Sequence, residues 1–240
     1  MRRTLILTLS ANRSPWWQLM AKQRETWDSI RHDQTSTIYY VGDSYPARFD
    51  PPVLHSPTDE HLHNIGHRTV EALEFALTIP DWHFLARPHS STYVHKRHLV
   101  EFVETAQPEL LYGLVVPAGP HEGPWLWGGG HFVMSRAVVQ KLVANKTQWD
   151  HGIMEDVAMS RLAASLGIPF GNGKSVSVDW KTDLKSASCI SWNGDTGGFD
   201  FSDFKDLNRL EDQFFFRVKH DPDRSVDLRT MDLLFQNLIP

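Results

Sequence analysis

Cysteine and long apolar runs are both scarce in this sequence. Cys189 is the only cysteine among 240 residues, so the chain has no partner for an internal disulfide and no set of thiolates for a metal. The apolar run Leu5–Leu9 follows Arg2 and Arg3, but it is too short for the hydrophobic segment of a signal peptide or for a membrane span. We therefore expect a cytoplasmic protein with no membrane span.

An excess of positive charge is also lacking. The net charge is −5 and the isoelectric point is near 6.2, so the chain carries no overall electrostatic signature for binding a phosphate backbone. A nucleic-acid partner is therefore disfavoured. Hydrophobic residues make up 41% and charged residues 22%, which is ordinary for a globular protein, and 240 residues fit one α/β domain.

Strand-like and helix-like segments alternate along the chain. This alternation predicts an α/β fold with a doubly wound sheet and ligands at the carboxyl ends of the strands. We expect residues 1–240 to form a single domain, in which residues 186–240 are a C-terminal segment. The predicted strands are Thr4–Ser10, Thr37–Val41, Trp82–Ala86, Leu110–Val116 and His131–Ser135, and the predicted helices include Asp59–Leu77, His95–Glu104 and Arg229–Asn237.

Glycine-rich nucleotide motifs are missing where other enzyme classes carry them. The segment Ala11–Pro15 after the first strand contains no glycine, so an NAD-binding enzyme is discounted. The run Gly128–Gly130 lacks the spacing and the trailing lysine of a phosphate-binding loop. It indicates either a close backbone approach to a ligand, with Trp125 and Trp127 presenting their faces to a sugar, or a tight turn beside two core tryptophans.

Four segments in a fixed order carry a family resemblance. The segments are Arg24-Glu25-Thr26-Trp27, Asn64-Ile65-Gly66-His67-Arg68-Thr69, Trp127 to Arg136, and Glu155-Asp156-Val157. They resemble the Arg-x-Thr-Trp, Asn-Leu-x-x-Lys-Thr, Gly-x-Gly-Tyr-Val-x-Ser and Glu-Asp-Val motifs of the fringe and β-1,3-galactosyltransferase family. The resemblance implies a Rossmann-like GT-A fold, with a mixed, mainly parallel sheet flanked by helices. It also implies inverting transfer of a sugar from a nucleoside-diphosphate sugar to an acceptor hydroxyl.

One carboxylate is the candidate catalytic group. Inverting transfer needs a general base for the acceptor hydroxyl, and the resemblance places the base at Asp156. The alternative interpretation is helix capping, because acidic residues are common in a first helical turn. The candidate acceptor-binding residues are Trp125, Trp127, Gly129, Gly130 and Glu155.

The family's metal-binding aspartates are replaced in this chain. Members of the family carry an Asp-Asp-Asp cluster after the third strand, where it holds a divalent cation against the donor diphosphate. Here His89, Ser90 and Ser91 stand in that stretch. Magnesium and manganese prefer carboxylate ligands, so we expect no metal cofactor. A divalent cation held partly by His89 is the disfavoured alternative.

Cationic side chains are the expected substitute for the metal, because the departing diphosphate must still be neutralised. Arg217 and Lys219 alternate with apolar residues, so a strand would place both on one face. A solvated strand face is the alternative interpretation. We expect the C-terminal segment to close over the donor, whose candidate contacts are Ser10, Ala11, Asn12, Asp43, Arg68, Arg87, His89, Ser90, Ser91, Arg217 and Lys219.

The sequence leaves two alternatives each for the role of Asp43 and for the catalytic activity of the chain. Asp43 is either a contact for the ribose or base, or only a turn residue in Gly-Asp-Ser. The chain is either an active transferase or an inactive relative that binds a sugar or nucleotide, since losing the aspartate cluster is what decay would produce. The expected partners are a nucleoside-diphosphate sugar and a glycan or other hydroxyl acceptor; a modified DNA base is disfavoured by the acidic charge.

Overall fold

A computed structural model describes residues 1–43, 46–116, 123–127, 131–180, 187–190, 199–200, 213–219 and 224–238. Its main element is an eight-stranded sheet with the strand order β11-β7-β10-β5-β1-β2-β4-β3. Along the chain these strands are β1 (Thr4–Leu9), β2 (Thr35–Val41), β3 (Arg48–Asp50), β4 (Val53–His55), β5 (Phe84–Pro88), β7 (Leu111–Gly113), β10 (His131–Ser135) and β11 (Phe170–Asn172).

The central strand explains the layered arrangement. β1 runs parallel to both β2 and β5, and all of its residues are buried. Leu5 and Leu7 belong to one core cluster, whereas Ile6 belongs to the other. A strand with apolar side chains on both faces needs a covering layer on each, which is why the helices divide between the two sides of the sheet.

Six α-helices lie in the described ranges. The first core cluster joins the sheet to α2 (Ile65–Thr78), α4 (Arg136–Ala144) and α5 (Glu155–Ser165). The second joins it to α1 (Trp16–Glu25), α3 (Lys96–Thr105) and α6 (Ser225–Leu238). None of these helices combines the length and the apolar character that a membrane crossing requires.

A second sheet carries the C-terminal segment to the main body. Its strand order is β14-β13-β12-β15-β6, from β6 (Thr92–Val94), β12 (Ser175–Trp180), β13 (Ala187–Ile190), β14 (Phe199–Asp200) and β15 (Phe215–Arg217). β15 pairs antiparallel with β6, which places Arg217 opposite Thr92. The N–H of Val218 also donates to the carbonyl of Ser91 at 2.9 Å. A distant part of the chain is thereby fixed beside the loop that follows β5.

Several predicted boundaries are wrong for local reasons. The helix expected from Asp59 begins at Ile65, because the Asp59 carboxylate accepts the N–H of His61 and the side-chain amide of Asn64, each at 2.8 Å, and closes a turn. The strand expected over Leu110–Val116 is two strands, since the chain leaves the main sheet after Gly113. Its second part, β8 (Val115–Val116), pairs with β9 (Trp125–Leu126) in a separate ribbon.

The predicted fold class is confirmed. The main sheet is mixed and mostly parallel, with the antiparallel strand β10 between β5 and β7, and helices cover both of its faces. Strand β1 begins at Thr4 and β10 spans His131–Ser135, as the sequence predicts. The short strands β3, β4 and β6 were not anticipated, because the first two lie in a proline-rich stretch that indicates a loop.

Candidate functional site

Two adjoining cavities lie where β1 and β5 end. The cationic cavity has a volume of about 380 Å³ and includes residues that follow β1 and β5. The aromatic cavity has a volume of about 650 Å³ and lies beside the start of α5. Both are lined by Leu62, Ile65, His89 and Lys219, so the two spaces meet at these side chains. Their position at the carboxyl edge of the sheet is where α/β folds bind ligands.

The cationic cavity is named for the charges that line it. Arg13, Arg68, Arg217 and Lys219 line it, against Glu60 as the one carboxylate among the described lining residues. Such a concentration of donors suits an anion with several oxygens, such as a diphosphate. It also contrasts with the acidic charge of the whole chain, −5.

Arg68 lies at the wall of this cavity on α2. It is 3% exposed, and its Nη1 donates to the carbonyl of Ser10 at 3.0 Å. This bond holds the guanidinium against the end of β1. Ser10 and Ala11 line the cavity as well, so the segment that follows β1 forms part of its wall.

Arg217 and Lys219 reach the cationic cavity from the C-terminal segment. Arg217 is buried in β15, whereas Lys219 is exposed just after it. Both line the cavity, which agrees with the prediction that a strand would place the two cations on one side. The solvated-face interpretation does not fit Arg217, because its side chain is only 7% exposed as a residue.

His89 stands at the junction of the two cavities. It pairs with Leu9 as an isolated parallel bridge, and its ring lies edge-on to Trp16 with 6.2 Å between centroids. Its Nδ1 is buried without a hydrogen-bond partner among the described residues. Burial, reinforced by the positive charges of Arg217 and Arg87, holds the pKa of His89 well below its usual value. The imidazole is therefore neutral near pH 7.

The serines beside His89 are placed differently from each other. Ser90 lines the cationic cavity, whereas Ser91 lines neither cavity. Both hydroxyls are buried without a hydrogen-bond partner in the described part of the chain. Ser91 instead holds the C-terminal segment through its backbone carbonyl, which accepts the N–H of Val218.

Two predicted nucleotide contacts do not line the described cavities. Asn12 is exposed; its backbone N–H donates to Glu60 and its side-chain amide donates to the carbonyl of Gly42 at 3.3 Å. Asp43 is exposed and has a φ of 62°, a left-handed conformation typical of a turn. The structure therefore favours the turn interpretation of Asp43.

The aromatic cavity carries the candidate base. Asp156 lines it from the first turn of α5, and its Oδ1 accepts the N–H of Val157 at 2.9 Å. Trp125 and Trp127 line the same cavity, while Gly129 and Gly130 lie outside the described residues. The carboxylate of Asp156 and the two indole rings thus line one space.

Arg87, a predicted donor contact, forms an ion pair with Glu155, a predicted acceptor contact. Arg87 lines neither cavity and is only 1% exposed, since its Nη2 lies 2.6 Å from Glu155 Oε1. Its Nε donates to the hydroxyl of Tyr40 at 3.0 Å. Glu155 lines the aromatic cavity, yet its carboxylate also accepts from Thr69 at 2.7 Å. The pair is a buried tie between β5 and the start of α5, because each charge neutralises the other away from water.

The hydrogen bond between Thr69 and Glu155 also links two segments that are distant in sequence. Thr69 closes the second of the four segments and Glu155 opens the fourth. Trp27 of the first segment is completely buried, and the ammonium of Lys96 lies 5.5 Å from its ring centroid. Thr69 and Trp27 line neither cavity, whereas Glu155 lines the aromatic cavity.

Arg13, Trp16 and Glu60 line the cationic cavity but were not among the predicted contacts. Arg13 and Trp16 lie in and just after a segment that indicates only a chain break, and Glu60 falls in what the pattern predicts as a helix. Of these, only Arg13 carried a signal, as a cation directly after the first strand. Within the described ranges, no group of three His, Cys, Asp or Glu side chains comes together in a way that would hold a metal ion.

The comparison with solved structures agrees with this architecture. The chain is similar to the crystal structure of a glycosyltransferase involved in the glycosylation of the major capsid of PBCV-1. The match covers 96% of this chain and 99% of that one, with a TM-score of 0.51 and 12% sequence identity. The two chains share a Rossmann-like fold, with a mixed, mostly parallel sheet flanked by helices in this chain. No protein-family model and no curated protein sequence matches the chain.

Proposed function

We propose that this protein is an inverting glycosyltransferase that moves a sugar from a nucleoside-diphosphate sugar to an acceptor hydroxyl without a metal. The observation that carries the proposal is the junction of the two cavities at His89 and Lys219. Cations line one side of this junction, and the carboxylate of Asp156 lines the other. Inverting glycosyl transfer needs both kinds of group. Cations stabilise the departing diphosphate on one side of the anomeric carbon, and a base accepts the proton of the acceptor hydroxyl on the other side.

The reaction follows from this arrangement of groups. The acceptor oxygen attacks the anomeric carbon while the bond from that carbon to the diphosphate oxygen breaks. The hydroxyl proton passes to Asp156, and the nucleoside diphosphate leaves with the electron pair. A base positioned for this transfer contributes roughly 100- to 10,000-fold in rate.

Neutralisation of the leaving group is assigned to side chains. Arg217 is buried at the cavity wall and offers a planar fork of donors, whereas exposed Lys219 offers a mobile point charge at the junction. His89, kept neutral by burial and by nearby arginines, retains an N–H donor without adding charge. Together they support metal independence, since family members use aspartates at this place and this chain has His89, Ser90 and Ser91 there.

The acceptor side is assigned to the aromatic cavity. Trp125 and Trp127 present aromatic surface there, and sugar rings bind aromatic faces through their C–H groups. The cavity's volume of about 650 Å³ lies within the usual range for ligand sites. We therefore propose a glycan acceptor, and we retain the kinship to the fringe and β-1,3-galactosyltransferase family as part of the proposal.

The direct test is turnover of nucleotide sugars with and without EDTA. A thermal-shift screen first selects the donor, since a ligand at ten times its Kd should stabilise the fold by roughly 1.4 kcal/mol. We expect hydrolysis or transfer from that donor to continue unchanged in EDTA. Strict dependence on manganese would contradict the metal-free proposal. Donor binding with neither hydrolysis nor transfer to any glycan would instead identify an inactive relative.

A further inference from the structure

Glu60 is the one acidic side chain among the described residues that line the cationic cavity. It is 4% exposed and lies in the segment that leads to α2. A buried carboxylate is costly unless hydrogen bonds or counter-charges compensate it, and Glu60 has both nearby.

Backbone donors from two loops fix the carboxylate. Glu60 Oε1 accepts the N–H of Asn12 at 2.6 Å and the N–H of Gly42 at 3.1 Å. Asn12 follows β1 and Gly42 follows β2, so the side chain joins the carboxyl ends of two neighbouring parallel strands. Its backbone carbonyl also accepts from Arg13 Nη2 at 2.6 Å.

The approach at Gly42 is close enough to demand glycine. A Cβ atom on Gly42 would lie 2.5 Å from the carbonyl oxygen of Thr58 and 2.8 Å from Glu60 Cγ. A side chain there would displace the carboxylate from the loop. The packing is therefore built around the position of Glu60.

The second carboxylate oxygen is what a ligand would meet. Both backbone bonds end on Oε1, which leaves Oε2 to accept hydrogen bonds in the cavity. An ionised carboxylate accepts only, and it repels phosphate oxygens, so its ligand must offer O–H or N–H groups. Adjacent hydroxyls on a sugar ring satisfy this requirement.

We propose that Glu60 binds the ribose 2′- and 3′-hydroxyls of the donor nucleotide. The inference rests on the function proposed above. Burial lowers the pKa of Arg68, and the charge of Glu60 opposes that shift, so Glu60 acts directly on a cation of the same cavity. Within a nucleoside diphosphate the ribose is the hydroxyl-bearing unit bonded to the phosphates, whereas the base lies one unit farther away. The contact with the ribose places the nucleoside over the ends of β1 and β2 and directs the diphosphate to His89 and Lys219.

The experiment compares ribose and deoxyribose ligands on the wild type and on Glu60→Gln. Calorimetry with UDP, GDP, ADP and CDP first identifies the preferred ribonucleoside diphosphate, and its 2′-deoxy form is then titrated. Because one charged hydrogen bond changes affinity by roughly 10- to 150-fold, we expect wild type to prefer the ribose form by at least about 10-fold. Glu60→Gln should lose most of that preference and leave the ranking of the bases unchanged. The glutamine keeps an oxygen for the two backbone N–H groups.

Controls separate this contact from general damage. Inorganic pyrophosphate has no ribose and should bind Glu60→Gln at least as tightly as wild type, since a negative charge has been removed. Glu71→Gln is the matched variant: Glu71 accepts from Thr58 at 2.7 Å and from Ser56, so it anchors the same segment without lining the cationic cavity. It should retain the ribose preference.

The other possible results contradict either the ribose contact of Glu60 or the proposed function. A ribose preference that survives in Glu60→Gln overturns the contact while leaving the proposed function intact. A changed ranking of bases assigns Glu60 to the base and overturns the ribose contact. If wild type binds none of the four nucleotides, the proposed function fails, and this inference fails with it.

Discussion

The two cavities are neighbours in space, but they differ in charge and in the way the chain builds them. The cationic cavity combines the loop after β1, the start of α2 and the C-terminal segment that supplies Arg217 and Lys219. The aromatic cavity draws chiefly on the ribbon around Trp125 and on the first turn of α5 with Asp156. One side is suited to hold a departing anion and the other to accept a proton. The comparison predicts that substitutions on the two sides have separable effects.

We expect Asp156→Asn to show the largest difference between its effect on turnover and its effect on donor affinity. We expect transfer to fall by on the order of 100-fold or more, because the base is lost, while donor affinity stays within about threefold of wild type. Turnover and calorimetric donor binding measured on the same preparation test this. Near-full turnover with an unchanged pH profile would show that Asp156 is not the base.

Arg87→Met tests the buried tie beneath the aromatic cavity. Glu155 would be left buried without its counter-charge, and breaking such a pair typically costs about 3–5 kcal/mol of the free energy of unfolding. Burial already raises the pKa of Glu155 against the opposing charge of Arg87, so the variant should shift that pKa further upward. Urea unfolding at pH 7 provides the measurement.

The matched control for this pair is the double variant Arg87→Met with Glu155→Gln. Removing both charges removes the uncompensated carboxylate, so the double variant should recover a large part of the lost stability. Equal instability of the single and double variants would mean that the two charges are not energetically coupled.

On the cationic side, Arg217→Ala should weaken donor binding or rate by roughly 10- to 150-fold, the effect of one charged hydrogen bond. Arg217→Lys should recover only part of it, because the planar fork of the guanidinium is lost. Acceptor KM should change little in either variant. Donor titrations and steady-state kinetics with varied acceptor separate these effects; a silent Arg217→Ala would remove the C-terminal segment from the mechanism.

The smallest expected effect concerns the attachment of the C-terminal segment. Nε2 of His95 lies 3.0 Å from the carbonyl of Leu238 in α6, and burial lowers the pKa of His95 from 6.5 to about 4. The folded state therefore binds fewer protons than the unfolded state, and stability is lost as the pH falls below about 6.5. For one titrating group, the free energy of unfolding changes by at most about 1.4 kcal/mol per pH unit.

The measurement is thermal unfolding at pH 7 and pH 5.5 for wild type and His95→Gln. The amide of glutamine can still donate to the carbonyl of Leu238 but does not titrate. The loss of stability between the two pH values should be smaller in the variant by about 1 kcal/mol. An identical loss in both proteins would show that His95 does not control the acid sensitivity.

Local patterns predicted the regular parts of this fold. β1 and β10 consist of buried apolar residues bounded by chain breaks, so strand identity could be read directly. The α/β class followed from the alternation of strands and helices. The edge strands β3 and β4 could not be predicted from the sequence. Proline residues and exposed positions there hide the alternation of buried and exposed side chains that is typical of a strand.

The site was predicted less evenly. The expectation that Arg217 and Lys219 face one side followed from strand alternation, and both line the cationic cavity. The pairing of Arg87 with Glu155 had no local signal, since the two residues are far apart in sequence and meet only when α5 packs beside β5. Arg87 was predicted to bind the diphosphate because it lies near the end of a strand, where a side chain is often accessible. In the structure Arg87 is buried, and its guanidinium is paired with the carboxylate of Glu155.

The sequence by itself determined the alternation of strands and helices and, with it, the α/β class of the fold. That feature depends on residue type and on short-range spacing. Tertiary structure alone decided which charges face a cavity and which neutralise each other, as Glu60 and Arg87 illustrate. The physical reason is that burial and electrostatic partners are set by contacts between distant segments, and an isolated residue pattern contains no information about the distance across the sheet.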